Sequence, residues 1–132
     1  MYKLFTDGGA RGNPGPAAIG AFIFNDKDEL SYFDGSYLGK ATNNEAEYKA
    51  IILGLELANK EGIKEINCFL DSELVVKQLN GEYKVKQEHL QKLKEQVQDL
   101  VFLFEKIEIH HVPREQNKHA DRMVNVILDS IQ

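Results

Sequence analysis

The spacing of apolar and polar residues changes near the middle of the chain. In the first part, apolar runs of strand length cover residues 2–6, 18–25 and 30–38. Residues 8–16 hold four glycines and two prolines and predict a loop, while the polar stretch 25–28 predicts a hairpin turn. The first part therefore predicts an antiparallel meander.

The second part alternates between helical and strand spacing. Thr42, Asn43 and Asn44 can cap a helix whose apolar residues recur at helical spacing as far as Gly62. The remaining predicted elements are a buried strand at 65–70, a short helix at 74–79, a longer helix at 88–104, a strand at 106–112, a polar loop at 113–118 and a helix at 119–131. This order indicates an α/β fold with a mixed sheet.

Length and composition are those of one globular domain over residues 1–132. The chain is 42% apolar and 28% charged, and no apolar run approaches the roughly 20 residues that a membrane span needs. The first residues lack the features of a signal peptide. Cys68, the single cysteine, lies in an apolar run and is expected to be a buried thiol. We expect a soluble cytoplasmic monomer with no membrane and no disulfide partner.

The net charge of −5 argues against a nucleic-acid partner, because phosphate binding usually needs a basic surplus. The sum hides one local exception, since residues 77–94 hold five lysines against two glutamates. That stretch is either a nucleic-acid contact or a solvated helix face. If it grips nucleic acid, substrate binding should be weak and strongly salt-sensitive.

Two aspartates follow predicted strands. Asp7 ends the first strand and Asp71 ends the fourth, and sites in open sheets gather at the carboxyl ends of strands. If these strands are parallel neighbours, the two carboxylates repel each other unless a proton or a cation lies between them. Mg²⁺ suits such hard oxygen ligands. Taken alone, each aspartate is more often a turn former or a helix cap.

The helix after the cap offers a choice between Glu45 and Glu47, which apolar periodicity does not separate. Glu47 shares a face with the small residues Gly54 and Ala58, which would let that face pack close to a sheet. Glu45 fits the first turn, where the helix dipole favours an acid. Asp121, near the start of the last helix, has the same dipole explanation.

Four segments resemble the motifs of a known family. They are residues 6–16 (TDGGARGNPGP), 42–48 (TNNEAEY), 71–79 (DSELVVKQL) and 117–121 (NKHAD). Each is similar to a motif of the type 1 ribonuclease H family, and the four occur in that family's order on matching elements. The resemblance covers essentially the whole chain.

The resemblance implies a five-stranded mixed sheet flanked by helices and one cluster of four carboxylates, Asp7, Glu47, Asp71 and Asp121. It implies hydrolysis of the RNA strand of an RNA–DNA hybrid duplex by two Mg²⁺ ions, for which Mn²⁺ can substitute, leaving 5′-phosphate and 3′-hydroxyl ends. Asp7 would bridge both ions. Glu47 and Asp71 would hold one ion with it, and Asp121 would hold the other.

The resemblance also implies substrate contacts. Asn13, Asn43 and Asn44, with backbone groups of the glycine-rich loop, would read the 2′-hydroxyl that distinguishes RNA from DNA. Thr42 and the helix N-terminus would take a phosphate of the DNA strand. Without the resemblance, a β-turn and helix caps explain the same residues. The full set of expected substrate residues is Gly8, Asn13, Thr42, Asn43, Asn44, Ser72 and Asn117.

The last motif departs from the family pattern. A Leu-Ala-Asn stretch usually follows the last aspartate, whereas residues 122–125 read RMVN here. The bulk of Val124 predicts a small shift of the last helix against the sheet. Some relatives carry a mobile catalytic histidine in the preceding loop. His119 and Arg114 are the candidates for an accessory role here, and neither matches cleanly.

Two other functions stay open from the sequence. The first is a protein of the same fold that binds nucleic acid without cutting it, and the presence of all four acids argues against it. The second is a metal-dependent nuclease that acts on duplex RNA or on DNA junctions. Such nucleases also use clustered acids, but they lack the Thr-Asn-Asn pattern found at residues 42–44.

Overall fold

A computed structural model describes residues 1–131 of the chain. Three strands, one helix, one strand, two helices, one strand and one helix follow one another, in the predicted order. The elements are β1 (Tyr2–Ala10), β2 (Gly15–Phe24), β3 (Leu30–Ala41), α1 (Asn43–Lys60), β4 (Glu65–Leu70), α2 (Glu73–Leu79), α3 (Glu88–Val101), β5 (Lys106–His111) and α4 (Lys118–Ile131). One turn of 3-10 helix, Arg114–Gln116, precedes α4.

The strands form one mixed sheet in the order β3-β2-β1-β4-β5. β1 lies at its centre, antiparallel to β2 and parallel to β4. β3 extends the antiparallel half and β5 extends the parallel half. The prediction of a five-stranded mixed sheet is confirmed.

Helices cover both faces of the sheet. Successive strand residues point to opposite faces, and Gly8 lies against α1 whereas Gly9 lies against α4. The main core fills the α1 face with side chains from the sheet and from α1, α2 and α3, including Leu4, Tyr48, Ile51, Leu55, Ile66, Val75 and Val97. On the α4 face, Val124 and Leu128 are buried against Ala18. The site therefore rests on a packed three-layer scaffold.

The strands β2 and β3 are longer than predicted, at Gly15–Phe24 and Leu30–Ala41, and two further element boundaries also differ from the prediction. Residues 8–16 were expected to be a loop, but β1 continues to Ala10 because Gly8 and Gly9 pair with Ile19 and Ala18 of β2. The predicted helix at 88–104 ends at Val101. The chain turns there, which lets the Glu105 amide bond to the Lys64 carbonyl at 2.8 Å and begin β5.

The parallel pairing of β1 with β4 stops before β1 does. Its last pair joins Thr6 to Leu70, where β4 ends. Beyond that pair β1 and β4 separate, and we call the opening between residues 7–10 and the chain after Leu70 the fork. At the fork, the amides of Gly8 and Ala10 have no strand partner on the β4 side. Their partners are side chains of α1: Gly8 donates to Glu47 Oε1 at 3.1 Å and Ala10 donates to Asn43 Oδ1 at 2.8 Å.

A row of aromatic rings crosses the α4 face of the sheet. The strand register places its members side by side on all five strands, in the order Phe33, Phe22, Phe5, Phe69 and His110. Ring centroids of Phe5 and Phe69 lie 5.0 Å apart, and those of Phe69 and His110 lie 5.4 Å apart. His119, one of the two candidate accessory residues, packs against this aromatic row.

Two smaller expectations concern single features. Cys68 is fully buried, as predicted, and burial raises the pKa of its thiol above the ordinary value. In residues 1–131, no helix is both long enough and apolar enough to span a bilayer.

Gly8 and Gly9 provide a test of how tightly α1 packs at the fork. A Cβ on Gly8 would lie 2.2 Å from the carbonyl oxygen of Ala46, a backbone atom that cannot move aside alone. We expect Gly8→Ala to lower the free energy of unfolding by about 3 kcal/mol or more. Gly9→Ala is the matched control, because its Cβ would meet Val124 at an ordinary 3.6 Å. Equal stability of the two variants in urea denaturation would show that α1 does not press on β1 as described.

Candidate active site

Three acids converge at the fork. Asp7, Glu47 and Asp71 each offer a carboxylate oxygen, and these oxygens all lie within 4.8 Å of one another. Asp7 and Glu47 are buried, with 7% exposure each, and Asp71 is half-buried. They line an open cleft of about 430 Å³. It is the only group of three or more His, Cys, Asp or Glu side chains with this spacing in the part of the chain that the structure describes.

Strand register explains why the two aspartates meet. Thr6 pairs with Leu70, so Asp7 and Asp71 are the residues that directly follow the last pair of the two parallel strands. Asp71 follows the end of β4 as predicted, but Asp7 lies within β1 rather than at its end. The two aspartates therefore meet where the pairing of β1 with β4 ends, and not where both strands end.

The structure separates the two glutamates of α1. Glu45 closes a capping box with Thr42: the Glu45 amide donates to Thr42 Oγ1 at 3.2 Å, and the Thr42 amide donates to Glu45 Oε1 at 3.0 Å. The hydrogen bond that the Thr42 amide donates to the carboxylate is the largest cause that holds the pKa of Glu45 below its ordinary value. Glu47, two residues later, turns toward the fork, where its Oε1 accepts from Gly8.

Burial makes the charges of this cluster costly. The pKa of Asp7 rises from 3.8 to about 7, chiefly because the carboxyl is buried and also because Asp71 and Asp121 are close. A hydrogen bond with Glu47 acts in the opposite direction. The pKa of Glu47 rises well above its ordinary value, first through burial and then through the charge of Asp7. Without a cation, these directions fit a protonated Glu47 carboxyl that donates a hydrogen bond to Asp7, whose own proton is lost near neutral pH.

The chemistry of the cluster fits a hard divalent cation. Glu47 Oε2 is buried and accepts no hydrogen bond from an N–H or hydroxyl group within residues 1–131. A carboxylate oxygen left in that state beside two further carboxylates is stabilised by a cation. All the ligand atoms are oxygens, which suit such ions better than the softer metals that prefer sulfur or nitrogen.

Asp121 lies in the same cleft but outside the three-acid group. Its Oδ1 accepts a hydrogen bond from Arg114 Nη2 at 3.1 Å, and the Arg114 side chain is 74% exposed. The guanidinium therefore neutralises Asp121 from the solvent side. Of the two accessory candidates, Arg114 reaches the cleft.

His119 does not line the cleft. Its ring packs on the aromatic row and its neighbour, with centroids 5.6 Å from Phe22 and 5.7 Å from Phe24. Val124 is 4% exposed and packs with Ala18 and Leu128 between α4 and the sheet, and the small shift of α4 expected from its bulk stays a prediction.

Two of the expected substrate asparagines are tied to the backbone through their oxygens. Asn13 Oδ1 accepts from the Asn43 amide at 3.0 Å, and Asn43 Oδ1 accepts from Ala10. These bonds fasten the turn after β1 to the start of α1. Asn43 and Asn44 line the cleft, whereas Asn13 does not line it and contacts the backbone of Asn43.

The other expected substrate residues have structural contacts. Thr42 caps α1, and Ser72 caps α2 through a hydrogen bond from the Val75 amide at 3.3 Å, although Ser72 also lines the cleft. Gly8 lines the cleft with its backbone. Asn117 is 1% exposed and is bonded to Asp71 and to β1 rather than to the open cleft.

Two polar side chains of the cleft, those of Arg11 and Asn125, were not among the predicted site residues. Arg11 forms an ion pair with Asp129 at 2.6 Å and so joins the turn after β1 to α4. Asn125 follows Asp121 by one helical turn and donates to its carbonyl oxygen at 3.1 Å. That i, i+4 spacing was a usable signal for Asn125, since both residues lie on one helix face.

Comparison with known proteins identifies the family. A family model described as reverse transcriptase-like matches residues 5–126. The bifunctional protein Rv2228c of Mycobacterium tuberculosis is 44% identical over 126 residues, which are 95% of this chain and 35% of that protein. Ribonuclease HI of Halobacterium salinarum is 39% identical over 125 residues, 95% of this chain and 63% of that protein. The chain belongs to the ribonuclease H family.

Solved structures of this ribonuclease H family share the fold closely. The crystal structure of RNase H1 from Halobacterium salinarum NRC-1 matches with a TM-score of 0.95 and 38% identity over 98% of both chains. LC11-RNase H1, crystallised in complex with an RNA/DNA hybrid, matches with a TM-score of 0.93 and 38% identity over 100% of both chains. The chain spans about a third of the mycobacterial relative and less than two thirds of the halobacterial one.

The raised pKa of Asp7 predicts how stability depends on pH in this ribonuclease H domain. Between about pH 4 and pH 7, Asp7 keeps a proton in the folded state that it loses in the unfolded state, so stability without metal should fall as pH rises through that window. We expect Asp7→Asn to be more stable than the parent protein at pH 8 in EDTA, by on the order of 2 kcal/mol, with a smaller difference at pH 5.

Denaturation in urea at both pH values measures this difference. Asp99→Asn on the exposed side of α3 removes one negative charge away from the cluster and serves as the control. A parent protein that gains stability from pH 5 to pH 8 in EDTA, relative to Asp7→Asn, would contradict the proton at this site.

Proposed function

We propose that this chain is an endoribonuclease that hydrolyses the RNA strand of RNA–DNA hybrids with Mg²⁺, for which Mn²⁺ can substitute, leaving 5′-phosphate and 3′-hydroxyl ends. The observation that carries the proposal is the group of three carboxylates within 4.8 Å at the fork, in an open cleft. Membership of the ribonuclease H family supports it, as does the hybrid bound by LC11-RNase H1.

The acids divide between two cation positions. Asp7, Glu47 and Asp71 would hold one Mg²⁺, and Asp7 with Asp121 would hold a second. Bound there, the ions would supply a water of lowered pKa and positive charge beside the phosphate oxygens. A cation held there would take the place of the Glu47 proton, which would pass to solvent. Arg114, whose Nη2 bonds Asp121 Oδ1 at the mouth of the cleft, would place a guanidinium where a phosphate of the substrate can approach.

Selectivity for RNA is supported by the orientation of Asn43. Its Oδ1 is occupied by the Ala10 amide, so Nδ2 is the atom left for a ligand, and within residues 1–131 it donates to no other group. A side-chain N–H donor at the edge of the cleft suits an acceptor such as the 2′-hydroxyl oxygen. DNA lacks that oxygen, so the contact favours the RNA strand.

The lysine-rich stretch 77–94 supports a second contact, to the DNA strand. The helix α3, which begins within this stretch, packs against α1, whose first residues line the cleft. Lys84 and Lys86, just before α3, are exposed. Cations there can follow a phosphate backbone away from the cleft, with an affinity that falls as salt rises.

A cleavage assay tests the proposed function. We expect the RNA strand of a hybrid to be cut in Mg²⁺ and in Mn²⁺, while duplex RNA and duplex DNA of the same sequence stay uncut. Phosphatase treatment of the products reveals a 5′-phosphate. Asp7→Asn and Asp71→Asn should each lower activity by more than the roughly 10–100-fold lost when a hydrogen-bond partner of a metal ligand is removed, because both carboxylates would bind the metal directly. Asp99→Asn should retain full activity.

Three outcomes would count against the proposal. An uncut hybrid after long incubation with excess protein leaves only a nucleic-acid-binding role. Cleavage of duplex RNA or DNA as fast as of the hybrid supports a nuclease of broader specificity. Full activity in Asp7→Asn removes the carboxylate cluster from the chemistry.

Asn43→Asp tests the reading of the 2′-hydroxyl. The aspartate keeps an oxygen that accepts from Ala10, so the fold should be unchanged, but it replaces the Nδ2 donor with a second acceptor. We expect kcat/KM on the hybrid to fall by about tenfold or more, as expected when a polar contact to the distinguishing group is lost. Asn59→Asp, at the exposed far end of α1, adds the same charge and should leave kcat/KM unchanged. Equal kinetics in both variants would exclude Asn43 as a substrate contact.

A further inference from the structure

Asn117 lies in the fork and joins the two strands that carry Asp7 and Asp71. Its Nδ2 donates to the Thr6 carbonyl oxygen at 2.8 Å and to Asp71 Oδ2 at 3.3 Å. Both hydrogens of the amide are therefore used, one on each side of the fork. We propose that Asn117 is a positioning residue that fixes the acids in the geometry that the cation requires, an inference that rests on the proposed function.

The bond to Thr6 acts on the backbone of Asp7. β4 has ended at Leu70, so no further strand amide can pair with β1 there. The Thr6 carbonyl belongs to the peptide unit that leads into Asp7, and Asn117 supplies the missing donor to it. The same side chain then holds Asp71 by one oxygen. Within residues 1–131, the other oxygen of Asp71 accepts no hydrogen bond and is left for the cation.

Asn117 also positions the fourth acid. It directly precedes α4, and its carbonyl oxygen accepts from the Asp121 amide at 3.1 Å. One residue thus connects the backbone before Asp7, the carboxylate of Asp71 and the first turn that carries Asp121. A shift of Asn117 would move these three acids relative to one another.

The unsatisfied oxygen of Asn117 indicates that its nitrogen is the important atom. Oδ1 is buried and has no hydrogen-bond partner in the described part of the chain, which carries a free-energy cost. The amide cannot rotate to relieve this cost, because Oδ1 would then face two acceptor oxygens, those of Thr6 and Asp71. A residue needed only to fill space would not require a buried amide here.

Metal binding without substrate is the measurement that separates positioning from packing. Calorimetric titration of the protein with Mn²⁺ should give a dissociation constant at least about tenfold higher in Asn117→Ala than in the parent protein, as expected when a partner of a metal ligand is removed. Hybrid cleavage by Asn117→Ala should be weak at limiting Mg²⁺ and should recover in part as Mg²⁺ is raised.

Gln78→Ala is the matched control. Gln78 is also a buried amide, 6% exposed, and its Oε1 accepts from the Tyr48 hydroxyl at 2.6 Å between α2 and α1. Its removal should lower stability while leaving the Mn²⁺ dissociation constant unchanged. Where Asn117→Ala does not fold, Asn117→Ser, which keeps one donor in a smaller side chain, should show an intermediate loss of Mn²⁺ affinity.

The outcomes distinguish this inference from the proposed function. If the parent protein binds Mn²⁺ and cuts the hybrid while the Asn117 variants bind Mn²⁺ as tightly as Gln78→Ala, the positioning role is wrong and the proposed function stands. If the parent protein neither binds Mn²⁺ nor cuts the hybrid, both fail. Mn²⁺ binding that is weakened in the Asn117 variants but not in Gln78→Ala supports the inference.

Discussion

The mutual repulsion of Asp7, Glu47 and Asp71 is the constraint around which this molecule is arranged. Three carboxylate oxygens within 4.8 Å are unfavourable in a buried place unless a proton or a cation lies among them. Burial is the largest cause of the raised pKa values of Asp7 and Glu47, and the charges of the neighbouring acids raise them further. A flexible scaffold would relax and separate the charges, so the site depends on elements that cannot move apart.

The scaffold achieves this with short contacts between the elements that carry the acids. α1 approaches β1 so closely that Gly8 has no space for a Cβ, and the capping box of Thr42 and Glu45 fixes where α1 begins. Ser72 fixes the start of α2 directly after Asp71. Each acid therefore lies within a few residues of a fixed helix start or of the central strand. The free-energy cost of holding these carboxylates together is offset by the packing of the whole core rather than by any single hydrogen bond.

Much of this arrangement could be predicted from sequence because it depends on local spacing. Asp71 directly follows an apolar run, and Asp7 follows another, so the adjacency of parallel strands brings them together whatever the length of β1 proves to be. The resemblance to ribonuclease H motifs favoured Glu47 over Glu45, and the capping box accounts for Glu45. Positions that depend on long-range packing were less accessible: the aromatic row that receives His119, and the burial of Asn117, join residues about a hundred positions apart.

The fork also makes the state of the acids observable from the backbone. Gly8 donates its amide hydrogen to Glu47 rather than to a neighbouring strand. The rate at which that hydrogen exchanges with deuterium from solvent should therefore follow the position of the Glu47 carboxylate, while the amides of β1 that pair with β4 follow the unfolding of the sheet. The Gly8 amide is therefore a built-in reporter of the Glu47 carboxylate, and its exchange can be measured in the protein without nucleic acid.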